Sequence, residues 1–371
     1  MRILILPRYT PRGASSRYRL WQFVPGLRSR GHEVEIKPLV GDSYLNELYT
    51  TGRRGRRALA AGYAARFLAV LRSGQYDAVL CEQEIFPFLP AGAEVLVSKL
   101  NRRFILDYDD AAYCKYDSWP VLRRKIGSLM AAAETVVVGN EHLAGYALRF
   151  TERVAVIPTV VDLGNYPNRQ NAAPGQVVRL VWIGTPLTAN FLQPLLRPLA
   201  DLQTKHPHLI FRFIGAGSFP CDGLRAEKPQ WSVHTEAELL GQCDIGIMPL
   251  SDSEFTRAKC GLKLIQYMAC GLPVVASPVG ANCEIVEENR NGFLAATAQE
   301  WFEKLDTLIE NAALRRRLGE HGRAKVAARY TLEHALSKWV KILEEGARRD
   351  AQRPRQIERS IPLHAQPQTR V

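Results

Sequence analysis

The stretch "KCGLKLIQYMACGLPVVASP", Lys259 to Pro278, decides how the rest of the chain is read. Lys259 and Lys263 stand where a helix should begin, near Lys259 to Gly261, and their i, i+4 spacing puts them on one helical face. The helical pattern over 261–270 runs into "PVVAS" (273–277), which has the form of a buried strand. Upstream, "DIGIMPL" (244–250) reads as the preceding strand, and Ser251 to Arg257 as the loop between them. A helix start carries free N–H groups and partial positive charge, so two lysines there repel unless an anion joins them. Arg257 brings a third cation close by. The pattern therefore points to a phosphate-like ligand, with a solvated charged face as the plainer alternative.

Working outward, short apolar runs alternate with longer helical patterns, the mark of βαβ units and parallel sheets. In the first half, strands are expected at 2–7, 33–40, 78–83, 103–108, 135–140 and 154–159. Helices are expected around 17–30, 56–73, 86–100, 117–133 and 141–150. "YPNRQNAAPG" (166–175) is poor in apolar residues and reads as a linker. A second series follows, with strands at 178–184, 210–217, 244–250, 273–277 and 292–296. Its helices are expected near 188–204, 236–242, 261–270, 281–288, 299–311 and 312–329. The expected organisation is an α/β chain of two facing, doubly wound domains, 1–168 and 176–330. A helix over 331–350 is expected to return toward the first domain, ahead of a disordered polar tail, 351–371.

Composition narrows the function classes. A chain of 371 residues exceeds one ordinary core. No apolar run reaches the roughly 18 residues that span a bilayer. The start, "MRILILPRYTPRG", reads as a first strand rather than a signal peptide. The seven cysteines are scattered singly, which points to a reducing cytoplasm and away from disulfides or a zinc site. Charge is uneven: residues 1–150 hold 22 Lys+Arg against 14 Asp+Glu, whereas 151–350 hold 23 against 22. A basic first half suits an anionic membrane face or a phosphorylated substrate. Aromatic residues are not interleaved with "GRRGRR" (52–57) as nucleic-acid stacking would require, so nucleic acid is not expected as a partner.

In open α/β sheets, ligands bind beyond the carboxyl ends of the strands. In the second domain those positions hold Gly184, Thr185, Gly215 and Gly217, where backbone amides can approach a ligand. "ASPVGAN" (276–282) adds Gly280 and Asn282 at another strand-to-helix turn. In the first domain, "RGASSRYRLW" (12–21) brings Ser15, Ser16, Arg17 and Arg19, suited to an anionic acceptor, donor phosphates or a plain helix cap. "LDYDDA" (106–111) sets Asp107, Asp109 and Asp110 at a strand end, suited to an acceptor hydroxyl, a helix cap or a metal. Asn140 closes another strand, and Glu82 and Glu84 are weaker candidates of the same kind. No dinucleotide fingerprint, Walker loop, HExxH or Gly-x-Ser-x-Gly motif is present.

"GLKLIQYMACGLPVVASPVGANCEIVEENRNGFLA" resembles the donor-binding segment of the family 4 glycosyltransferases, group 1 type. "VVVGNEHLAGYALRF…VAVIPTVVD" (136–162) and "LVWIGTP" (180–186) follow the same family order. The resemblance implies a GT-B fold, with two Rossmann-like domains facing across a cleft. It also implies retaining, hexosyl-type transfer from a nucleotide-diphosphate sugar on the second domain to an acceptor on the first. No further cofactor or metal is implied. The setting it suggests is polysaccharide, cell-envelope or glycolipid assembly, in the cytoplasm or peripheral at the inner membrane face, with a glycan or lipid-linked acceptor. A non-catalytic glycosyltransferase-like subunit and an epimerase on the same fold are the alternatives.

The departures from the family pattern are specific. Of the two glutamates that the family usually carries, the first position is Ala258 and the second is Gln266, whose amide can still bond a ribose hydroxyl. The usual Arg and Lys after the first strand of the second domain are replaced by "TPLTANF". Lys259 and Lys263 are expected to substitute for that pair as catalytic charges on the departing diphosphate. Arg257, Gln266 and the glycines complete the expected donor site. Ser16, Arg17, Arg19, Asp107, Asp109, Asp110 and Asn140 make up the expected acceptor side.

Overall fold

The computed structural model describes residues 1–51, 55–101, 103–168 and 177–352. Most of the expected linker, Arg53 and Arg54 of the basic cluster, and the tail from 353 onward lie outside the described residues. The described chain forms two six-stranded sheets, parallel throughout. The first contains β1 (Arg2–Leu6), β2 (Glu33–Ile36), β3 (Ala78–Glu82), β4 (Phe104–Tyr108), β5 (Thr135–Val138) and β6 (Val154–Val156), in the order β2-β1-β3-β4-β5-β6. The second contains β7 (Val178–Ile183), β8 (Leu209–Ile214), β9 (Ala226–Glu227), β10 (Ile245–Met248), β11 (Val274–Ala276) and β12 (Gly292–Leu294), in the order β12-β11-β10-β7-β8-β9. The order in which strands are added reverses between β1 and β3 and between β7 and β10, the switch points at which open α/β sheets take ligands.

The central strands are apolar on both faces because helices cover both. This is why they read as continuous hydrophobic runs in the sequence. Differences from expectation arise where local chemistry breaks the pattern. The helix expected over 117–133 is shortened to Lys125–Ala132, after a 3-10 turn at Ala112–Tyr116. The one expected over 188–204 begins as a 3-10 segment, Ala189–Leu195, containing Pro194. Helix Asp42–Thr51 and the two-residue strand β9 were not expected; both are too short or too polar to show a clear period.

The last described helix, Leu332–Gln352, starts at a bridge between Val161 and Thr331 and lies against the first domain. Trp339 is 1% exposed and packs on Phe23, ring centroids 6.2 Å apart. Gly26 leaves room for Leu336, since a Cβ there would meet its methyl at 2.3 Å. Arg103 donates to the Leu343 carbonyl. Truncating Trp339 removes a large buried ring, so Trp339→Ala is expected to destabilise the first domain by about 3–5 kcal/mol. Denaturant unfolding followed by near-ultraviolet dichroism measures this, and an unchanged midpoint would show that the helix does not hold the domain.

Candidate functional site

The C-terminal edges of the two sheets enclose a cleft of about 610 Å³, lined from both domains. On the second-domain wall, Ser253 and Thr256 form a capping box that fixes the short helix Glu254–Arg257. The chain then turns through Gly261 in the left-handed region (φ 68°), where a Cβ would meet Ile285 at 2.2 Å. Helix Leu262–Ala269 starts there, and Gly261, Leu262 and Lys263 of its first turn line the cleft. The helix thus begins one residue later than expected. Lys259 stands before it rather than on it, yet both lysines reach the cleft.

The two cations are held differently. The Lys259 ammonium lies 3.2 Å from Asp110 of the first domain and 4.3 Å from the centre of the Phe255 ring. The Lys263 ammonium lies 5.0 Å from the centre of the Trp182 ring. Burial, reinforced by Lys259, depresses Lys263 to about 7, with Asp110 opposing the shift. Burial raises Asp110 to about 6, against the pull of Lys259 and with a push from Asp109. A small change of environment therefore alters the charge of this corner near neutral pH.

Gly184, Thr185, Gly215 and Gly217 line the floor. Gly215 and Gly217 have φ of 72° and 61°, and a Cβ on Gly215 would meet the Gly184 carbonyl oxygen at 2.4 Å. Gln266 donates to the hydroxyls of Tyr18 and Tyr166 at 3.1 Å each, leaving its side-chain carbonyl oxygen as the acceptor it can offer the cleft. Beside it the Glu236 carboxylate receives Arg17 at 3.0 and 3.1 Å, the Tyr18 hydroxyl at 2.5 Å and the Trp231 indole at 2.7 Å. This group ties the first domain to the second at one end of the cleft.

On the first-domain wall, the Ser15 hydroxyl lies 2.7 Å from both Glu82 and Asp109. Burial and the neighbouring Asp109 raise Glu82, while the hydrogen bonds it accepts from Ser16, the Arg8 amide and Ser15 oppose the shift. Asp109 and Asp110 line the cleft with Arg12, Arg17, Asn46 and Thr50.

The structure thus gathers Lys259, Lys263, Gly184, Thr185, Gly215, Gly217, Gln266, Ser15, Arg17, Asp109 and Asp110 around one space. The remaining candidates do not line it. Arg257 is exposed and pairs with Asp252 at 2.6 and 2.8 Å. Gly280 (φ 53°) is a close-packing position, where a Cβ would meet the Arg257 carbonyl oxygen at 2.2 Å. Asn282 is buried and donates to the Ser277 carbonyl at 3.0 Å. Ser16 is buried against Glu82 at 2.5 Å. Arg19 and Asp107 form a fully buried bidentate pair at 2.9 and 2.5 Å, with Arg19 also donating to the Ile157 carbonyl. Asn140 caps helix Glu141–Ala147, accepting from Leu143, and donates to the Ala258 carbonyl at 2.8 Å. For Ser16, Arg19, Asp107, Asn140 and Asn282 the reason is shared: near a strand end these side chains are consumed in holding the loops. Sequence reading missed Arg12, Asn46, Thr50, Lys228, Trp231 and Glu236. Arg12 was detectable as the cation preceding Gly13, whereas Trp231 and Glu236 follow the unexpected β9 and carried no signal.

Residues 178–311 match the family described as Glycosyl transferases group 1. The chain is 28% identical to D-inositol 3-phosphate glycosyltransferase of Stackebrandtia nassauensis over 185 residues, 43% of this chain and 40% of that protein. It is 32% identical to an uncharacterized glycosyltransferase of Methanocaldococcus jannaschii over 111 residues, 29% of this chain and 30% of that one. The matched stretches thus span less than half of these relatives. Among solved structures, sucrose-phosphate synthase from Thermosynechococcus elongatus superimposes with a TM-score of 0.70 at 16% identity, covering 93% of this chain and 98% of that one. HepE of Anabaena in complex with UDP gives 0.69 at 16% identity, covering 93% and 100%. The described chain has the GT-B fold, and its similarity to the group 1 glycosyltransferases lies in the C-terminal domain, over residues 178–311.

Proposed function

We propose that the protein transfers a hexosyl group, with retention, from a nucleotide-diphosphate sugar to the hydroxyl of a glycan or lipid-linked acceptor. The convergence of Lys259, Lys263 and the first turn of helix Leu262–Ala269 on one cleft carries this reading. In the step envisaged, the bond from the sugar's anomeric carbon to the β-phosphate oxygen breaks, and the acceptor oxygen bonds to that carbon. The acceptor's proton passes to the departing phosphate. The lysines and the helix start stabilise the charge that grows on the diphosphate, where fixed positive groups act most strongly. Gly215, Gly217 and Gln266 would hold the nucleoside, and Asp109, Asp110 and Arg17 would orient the acceptor. Complexes of HepE with UDP and with UDP-glucose support a nucleotide-sugar donor for this fold. The seven free cysteines fit a reducing cytoplasm. Position 258 is buried in the apolar cluster of the first domain, so the missing glutamate takes nothing from the cleft wall.

Three measurements test this reading. Incubation with a panel of sugar nucleotides should release free nucleotide together with a glycosylated acceptor. Binding without release would favour the non-catalytic subunit, and an isomerised sugar nucleotide would favour the epimerase. Lys263→Ala is expected to lower turnover by about 10²–10³-fold with the fold retained; unchanged turnover would remove Lys263 from the mechanism. Finally, burial lowers Lys263 to about 7, and an anionic diphosphate beside it favours its charged form. Binding should therefore take up a proton above that pH and weaken as pH rises through it, and calorimetry in buffers of different ionisation enthalpy reads the uptake directly. Release of a proton would contradict the assignment.

A further inference from the structure

Helix Arg56–Leu71 turns the usual distribution of side chains around. Its inward residues include Arg66, buried and donating to the carbonyls of Leu6 and Pro7 at the end of β1. Gly62 backs so closely on the chain that a Cβ would meet the Leu39 carbonyl oxygen at 2.0 Å, which fixes the helix's rotation. The outward stripe is then Ala60, Ala61, Ala64, Ala65, Phe67, Leu68 and Leu71, all exposed. Phe67, Leu68 and Leu71 are each more than half exposed, at 52, 57 and 54%. Arginines bracket this stripe: Arg56 and Arg57 at one end and Arg72 at the other, all exposed. A solvated helix face ordinarily carries charge along its length, not only at its ends.

The neighbouring helix, Gly92–Leu100, continues the surface. The two helices end side by side at the turn Ser73–Gln75, where Asn101 donates to the carbonyls of Ser73 and Tyr76 at 2.9 and 2.7 Å. Leu96, Lys99 and Leu100 are exposed there, and the one acid of that helix, Glu94, is fully buried against Lys125. Neither helix offers an exposed carboxylate. Contiguous exposed apolar surface of this kind marks an interaction site.

We propose that this face docks on an anionic lipid bilayer. The apolar stripe of a helix about 24 Å long lies in the interface, and the arginines at its ends and Lys99 meet the acidic headgroups. A second copy fits less well. An antiparallel two-fold pairing would set Arg56 and Arg57 beside Arg72 at the other end of the second copy's helix, with no carboxylate on the face to compensate. The inference is independent of the proposed transfer reaction, and it stands or falls on its own measurement.

Full-length protein is floated with vesicles of phosphatidylcholine alone, and of phosphatidylcholine with about one-third phosphatidylglycerol. Binding is expected to the second and not the first, to fall with salt, and to drop more than about tenfold in the Leu68→Ser/Leu71→Ser variant. Arg56→Glu/Arg57→Glu provides a second variant that keeps the apolar stripe and places acids where a helix start favours them, so its fold is secure. It too should lose binding, with the melting curve by circular dichroism unchanged. Absence of binding to anionic vesicles, or binding that both variants retain, overturns the proposal. So does a concentration-dependent dimer, seen by sedimentation, that the leucine substitutions abolish.

Discussion

Positive charge gathered in a partly desolvated cleft is the constraint around which this molecule is arranged. Lys259 and Lys263 approach from one domain, and the start of helix Leu262–Ala269 adds its own partial charge. Without ligand, the structure relieves this repulsion in two ways. Asp110 reaches across from the other domain to Lys259, and Lys263 gives up part of its charge to burial while resting over Trp182. Both arrangements are reversible by an anion, which would supply the missing negative charge and draw Lys263 back to its protonated form.

Local surroundings account for the departures from the family pattern at positions 266 and 258. A glutamate at position 266 would bring a second carboxylate to within about 3.5 Å of Glu236, where Gln266 now lies. With Arg17, Tyr18 and Trp231 already committed to Glu236, one added carboxylate would find no unshared cation at that end. The amide removes the repulsion and still bonds Tyr18 and Tyr166. At position 258 the surroundings are apolar, formed with residues such as Tyr108, Ala111 and Leu143, so an ionised side chain there would be desolvated without a partner. Alanine fits the packing, and its carbonyl is used by Asn140 to join the domains.

Much of the fold was legible from residues 259–278 outward because parallel strands covered on both faces must be apolar throughout, and the helices between them must be amphipathic. The twelve strands of the structure include every one expected, with only β9 added, and GT-B relatives share the arrangement. The site was legible more unevenly. Glycines after β7 and β8, and the lysines around Gly261, could be placed because strand ends are where ligands bind. Arg19, Asp107, Ser16 and Asn140 carry the same residue types at the same kind of position, yet their side chains are spent on one another and on loop backbone.

By itself, the sequence determined the α/β alternation, the two-domain division and the segment that carries positive charge, because each depends on periodicity or on residues close along the chain. Only the tertiary structure decided which charges are free to meet a ligand. It pairs Lys259 with Asp110, 149 residues away, and Arg17 with Glu236, 219 residues away. It also turns Arg66 of helix Arg56–Leu71 inward and Phe67, Leu68 and Leu71 outward. Such choices follow from burial and from long-range pairing, which local spacing does not encode.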